Sequence, residues 1–85
     1  MEAKDKYIIK QALRLVEASG GNGVTERQLK EQIDLANGEP LASDKLDEAV
    51  EMLKERGWIT WYMEPIWHAK RYTLTPRGMT ALEGM

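Results

Sequence analysis

Asp44, Glu48, Glu51 and Glu55 stand three or four residues apart in the sequence, the spacing at which side chains share one face of a helix. A divalent-ion site is a weak use for them, because carboxylates along one helix do not encircle an ion without ligands from elsewhere. Solvation of an exposed helix face is the plainest use, and the partial positive charge of a helix N-terminus helps at Asp44 and Asp47. Glu48, Glu51 and Glu55 fit that account less well. The pairs Asp44/Glu48, Asp47/Glu51 and Glu51/Glu55 set like charges at i, i+4, each costing about 0.2 to 0.5 kcal/mol, and Lys45/Glu48 and Glu51/Lys54 offset only part of this. A basic protein partner would account for the rest.

The complementary chemistry lies in the cations Arg27, Lys30 and Lys45, in the run His68, Lys70, Arg71, and in Arg77. From residue 57 to the end, Lys70, Arg71 and Arg77 face Glu64 and Glu83, a net charge of +1 to which His68 adds when protonated. Such a stretch can contact phosphates, with Arg27 and Lys30 as further clamps. Lys70 and Arg71 have a second reading as edge-strand charges that discourage unwanted sheet pairing. Catalysis has little to work with: one His, no Cys, no His pair at metal spacing and no glycine-rich phosphate loop after a strand. The chain is read as non-enzymatic, with no metal and no cofactor.

Eighty-five residues allow one core, so residues 1–85 are taken as a single domain. Apolar residues at 42% and charged residues at 31% are enough to form that core without disorder. The net charge of −2 makes any attraction to phosphate local. Without cysteine, no disulfide can hold the fold together. No apolar run is long enough to span a bilayer, and the expected setting is the cytoplasm, with no membrane contact.

The elements that must position these residues follow from periodicity. Ile9, Leu13 and Val16 place an apolar stripe on a first helix over residues 4–19, which Gly20, Gly21 and Gly23 end. Thr25 and Gln28 form a capping box for a second helix carrying Leu29, Ile33 and Ala36 and ending at Asn37 and Gly38. A third helix starts near Ser43 or Asp44, buries Leu46, Ala49, Val50 and Leu53, and stops at Gly57. Two β-rich segments, from Trp58 to Met63 and from Arg71 to Thr75, are broken at Glu64 and Pro65 and read as a hairpin. Thr75 and Pro76 then cap and start a short last helix. Its Met79, Leu82 and Met85 serve either local packing or a homodimer seam.

The segments Leu53-Lys-Glu-Arg-Gly57-Trp58-Ile59 and Tyr72-Thr-Leu-Thr-Pro-Arg-Gly78 lead into and out of this hairpin. They resemble those of the winged helix-turn-helix superfamily, and in particular bacterial regulators of the MarR and PadR type. The resemblance implies a mainly α fold with a small β-hairpin: three helices, a wing hairpin and a short C-terminal helix. It also implies duplex DNA as partner, with the third helix entering the major groove and the wing following the backbone or minor groove. Those regulators usually add long helices for dimerisation or effector binding, where this chain has a short tail. The chain is expected to act as a monomer or homodimer.

The carboxylates modify this picture. With the apolar stripe of the third helix turned inward, Asp44, Glu48, Glu51 and Glu55 occupy the middle of the face that would meet DNA, where phosphate charge repels them. The expectation is therefore a small DNA-binding transcriptional regulator that contacts DNA mainly through its wing and the basic residues of its second helix. The alternative is a protein-interaction adaptor that uses the acidic face and does not bind DNA. Trp58, Trp61, Tyr62, Trp67 and Tyr72 lie in or beside the hairpin. They are expected to pack across the strands and cover the core, or to leave an exposed aromatic patch for a protein or for unpaired bases.

Overall fold

The computed structural model describes residues 3–85. Its elements run α1 (Ala3–Ser19), a 3₁₀ turn (Gly20–Asn22), β1 (Val24–Thr25), α2 (Glu26–Asn37), α3 (Ser43–Glu55), β2 (Ile59–Met63), β3 (Lys70–Leu74) and α4 (Pro76–Glu83). The three strands form one antiparallel sheet in the order β1-β3-β2. The hairpin is thus extended by a third strand of two residues, in which Val24 pairs with Tyr72 and Thr25 with Arg71.

The helix starts follow from local hydrogen bonding. At α2 the Gln28 amide donates to the Thr25 hydroxyl at 3.2 Å while the Thr25 amide donates to the Gln28 side chain at 2.9 Å, completing the expected capping box. At α4 the Gly78 amide donates to the Thr75 hydroxyl at 2.9 Å, with Pro76 in the first turn where its missing N–H costs nothing. Helix α3 starts at Ser43, as expected, but neither Ser43 nor Asp44 caps it. Ala42 is the capping residue and no side chain caps it, because Ser43 already lies inside the helix. The turn before it is instead held by Asp34, whose carboxylate accepts from the Leu41 amide at 2.7 Å.

The core joins all the layers. Leu13 and Val16 of α1, Leu29 and Ile33 of α2, Val50 and Leu53 of α3, Ile59 of β2 and Tyr72 of β3 are buried together, with Leu82 of α4 at the edge. Leu82 and Met85 pack on this core, and Met79 is exposed on α4. Gly57, at φ 72°, makes the turn from α3 into β2 that a side chain would strain. Directly after it, the Trp58 amide donates to the Leu53 carbonyl and the Trp58 carbonyl accepts from the Thr75 amide, both at 3.1 Å. The segments entering and leaving the wing are thereby bonded to each other.

Candidate nucleic-acid interface

The wing is the hairpin β2–β3, and its register decides what each face presents. Trp61 pairs with Tyr72, Met63 with Lys70 and Tyr62 with Arg71. Because side chains alternate along a strand, Trp61, Met63, Lys70 and Tyr72 share one face, and Tyr62 and Arg71 share the other. Lys70 and Arg71, adjacent in sequence, therefore point to opposite sides. On the first side the Lys70 ammonium lies 4.5 Å from the Trp61 ring centroid and 5.5 Å from that of Tyr72, within reach of the attraction between a cation and a π face. Lys70 makes no ion pair among the described residues. On the other side the Tyr62 hydroxyl donates to the Asn22 carbonyl at 2.9 Å, fastening the wing to the connector after α1.

Tyr72 is completely buried, and its hydroxyl meets no hydrogen-bond partner among the described residues. The Lys54 ammonium, from α3, is 5.8 Å from the same ring. Lys54 and Lys70 thus converge on Tyr72 from the third helix and the wing. The sequence did carry a signal for Lys54, its i, i+3 relation to Glu51, yet that relation gives no hint of its approach to the wing.

Most of the cations near α3 already hold carboxylates. Lys54 pairs with Glu51 at 2.6 Å and Lys45 with Glu48 at 3.6 Å, the two compensating pairs expected from spacing. Lys30 of α2 bonds Asp47 across to α3 and lies 4.0 Å from Glu26. Hydrogen bonding to Asp47 raises the Lys30 pKa above the ordinary lysine value, partial burial opposes this, and Glu26 adds to it. Hydrogen bonding to Glu51 raises that of Lys54 in the same way. Arg27, exposed, is bonded along its own helix to Glu31 at 3.2 Å. Arg27 and Lys30 border the same shallow depression between α2 and α3.

Asp44, Glu48, Glu51 and Glu55 are all exposed along α3, so one helix face does carry the four carboxylates. Asp44 and Glu55 make no ion pair among the described residues. Lys45 and Glu48 also border an open apolar cleft of about 480 Å³ floored by Ile8, Ile33, Leu41 and Met52. Arg77, at the start of α4, lies against Gly57 and apart from the tip. His68 is exposed at the tip with its backbone at φ 54°.

The aromatic residues divide. Tyr72 is in the core and Trp58 packs against it, with the Arg56 guanidinium 5.2 Å from the Trp58 ring centroid. Trp61 is 48% exposed and Trp67 75%, beside Ile66, also 75%. Expectations of core cover and of an exposed patch each hold for part of the set. The reason is geometric: β3 is the middle strand and β2 an edge, so Tyr72 is covered while Trp61, its partner on the same face, is half exposed and only Ile59 of β2 is buried.

Helices α2 and α3 followed by this hairpin, with β1 closing the sheet, define a winged helix-turn-helix fold. The S. aureus MepR protein, solved as a DNA complex, shares it with a TM-score of 0.64 and 18% identity over 89% of this chain. The chain spans half the length of that protein. No family model matches the sequence. No curated protein matches it either. Among the described residues no helix is long and apolar enough to cross a membrane.

Proposed function

We propose that the chain is a cytoplasmic DNA-binding domain of a transcriptional regulator, docking on duplex DNA with the wing leading. The observation that carries this reading is Lys70, a wing cation held over Trp61 with no carboxylate partner among the described residues. The likeness in fold to a protein solved with DNA supports it. Lys54 converges with Lys70 on Tyr72, Arg27 and Lys30 border the depression between α2 and α3, His68 is exposed at the wing tip, and the carboxylates of α3 keep that helix from deep insertion. Lys45, Arg71 and Arg77 contribute through the overall field, since Lys45 borders the cleft against α1, Arg71 faces the other side of the wing and Arg77 lies against Gly57.

An amide-resolved NMR titration with a mixed-sequence duplex, at low and at physiological salt, tests this. The expected result is shifts around residues 68–71, 30 and 54 that fade as salt rises. The Lys70→Ala change should weaken binding more than Arg71→Ala, because the two side chains face opposite sides. An absence of shifts at low salt would sink the reading. The carboxylates Asp44 and Glu55, which make no ion pair among the described residues, favour one second reading, a basic protein partner on the acidic face. Under it, Glu48→Gln with Glu51→Gln weakens a protein complex and DNA is irrelevant.

A further inference from the structure

The wing tip is held in one shape. The Glu64 carboxylate accepts from the Ile66 amide at 3.2 Å and from the Trp67 amide at 2.6 Å, while the Glu64 amide donates to the Ala69 carbonyl at 2.7 Å and closes the loop. His68 turns the chain back with the left-handed backbone angle uncommon outside glycine. These hydrogen bonds fix the Glu64 carboxylate inside the turn, turned toward the backbone amides of residues 66 and 67. Ile66 and Trp67 are presented outward, each three-quarters exposed, and the exposed apolar strip continues down the wing through Met63 to Trp61. Along that strip the neighbouring cation is Lys70, seated on the Trp61 ring.

An occupant of this strip must offer flat apolar faces to Trp67 and negative charge to Lys70. A paired duplex shows its phosphates but hides its base faces in the stack. Unpaired bases offer both, since every base has a π face and each nucleotide a phosphate. We propose that the wing tip binds single-stranded DNA, or unpaired bases within a duplex, with Trp67 stacking on a base and Lys70 meeting the adjoining phosphate. This rests on the DNA-binding reading above and adds a preference for unpaired bases. Ile66 stands beside the stacked base as an apolar wedge.

The test uses the whole chain with fluorescein-labelled (dT)12 and a blunt mixed-sequence duplex, followed by anisotropy and tryptophan quenching. Expected are binding of (dT)12 with quenching, a loss of about tenfold in Trp67→Ala, and retention of most affinity in Trp67→Phe. Duplex affinity should change less than twofold in both variants, whose thermal melts should match the wild type because Trp67 is exposed. Unchanged (dT)12 affinity in Trp67→Ala, with duplex binding intact, overturns the stacking proposal and leaves the DNA-binding reading in place. Failure to bind either DNA overturns both. If Trp67→Ala alters sedimentation and leaves (dT)12 binding unchanged, the strip is a contact between copies of the chain and the proposal falls.

Discussion

Gly78 of α4 lies so close to the Trp58 carbonyl that a Cβ at Gly78 would overlap that oxygen and stand 2.8 Å from the Leu74 side chain. The close approach lets α4 seat on the base of the wing. The Thr75 hydroxyl secures the same junction, donating to the Gly57 carbonyl and accepting from the Gly78 amide.

Gly78→Ala is therefore expected to destabilise the domain by about 3 kcal/mol through overpacking against backbone. Gly38→Ala provides the contrast. Gly38 has open space around it and only a positive φ of 83° to strain, so its change should cost about 1 kcal/mol. Urea unfolding midpoints at fixed m-value measure both, and equal losses would refute the close-approach argument.

Tyr72→Phe should raise stability by up to about 1 kcal/mol, since it removes a buried hydroxyl that has no partner among the described residues and keeps the ring in place. The check is a thermal melt. A loss of stability would mean that the hydroxyl is hydrogen-bonded in solution.

Stability should also fall in alkali through Lys30 and Lys54. Both carry raised values in the folded chain, so the unfolded chain, near about 10.4, releases these protons first. Their stabilisation is complete below that pH and disappears as pH climbs through the higher folded values. The stability gap between the wild type and Lys30→Met or Lys54→Met should be constant from pH 7 to 9 and shrink above about pH 10.5. A gap that persists to pH 12 would assign it to packing of the alkyl stems.

Asp47→Asn combined with Glu51→Gln should strengthen duplex binding several-fold. The changes release Lys30 and Lys54 from their carboxylates and lessen repulsion on α3. Two added phosphate contacts would steepen the dependence of log affinity on log salt by about 1.8. Fluorescence anisotropy between 50 and 200 mM salt, as the set range, reads the slope. An unaltered slope would show that neither lysine reaches DNA.

Local chemistry made much of this fold legible from sequence. The Thr25/Gln28 box and the Thr75-Pro76 start involve side chains within three residues of the amides they bind, and the core faces of the helices follow from period alone. What escaped depends on distant partners. Val24–Thr25 is a strand only because β3 lies beside it, and two residues carry no alternation to detect. The Lys45/Glu48 and Glu51/Lys54 pairs were legible for the same local reason. The Lys30 bond to Asp47 joins two helices and was not. Alternation placed Ile59 and Trp61 on one side of a strand, but it cannot say how far along that strand the core extends.

The order of the sheet also bears on how the chain acquires its fold. The middle strand, β3, is the last of the three in sequence, and it joins β1 to β2 through partners as far apart as Thr25 and Arg71. Until residues 70–74 leave the ribosome, the helices have no Tyr72 to close over, and Leu13, Leu29 and Leu53 lack part of their cover. Long-range pairing of this kind forms late and slowly. A nascent chain stalled before Lys70 should therefore remain open and sticky, a client for chaperones, until the next few residues emerge.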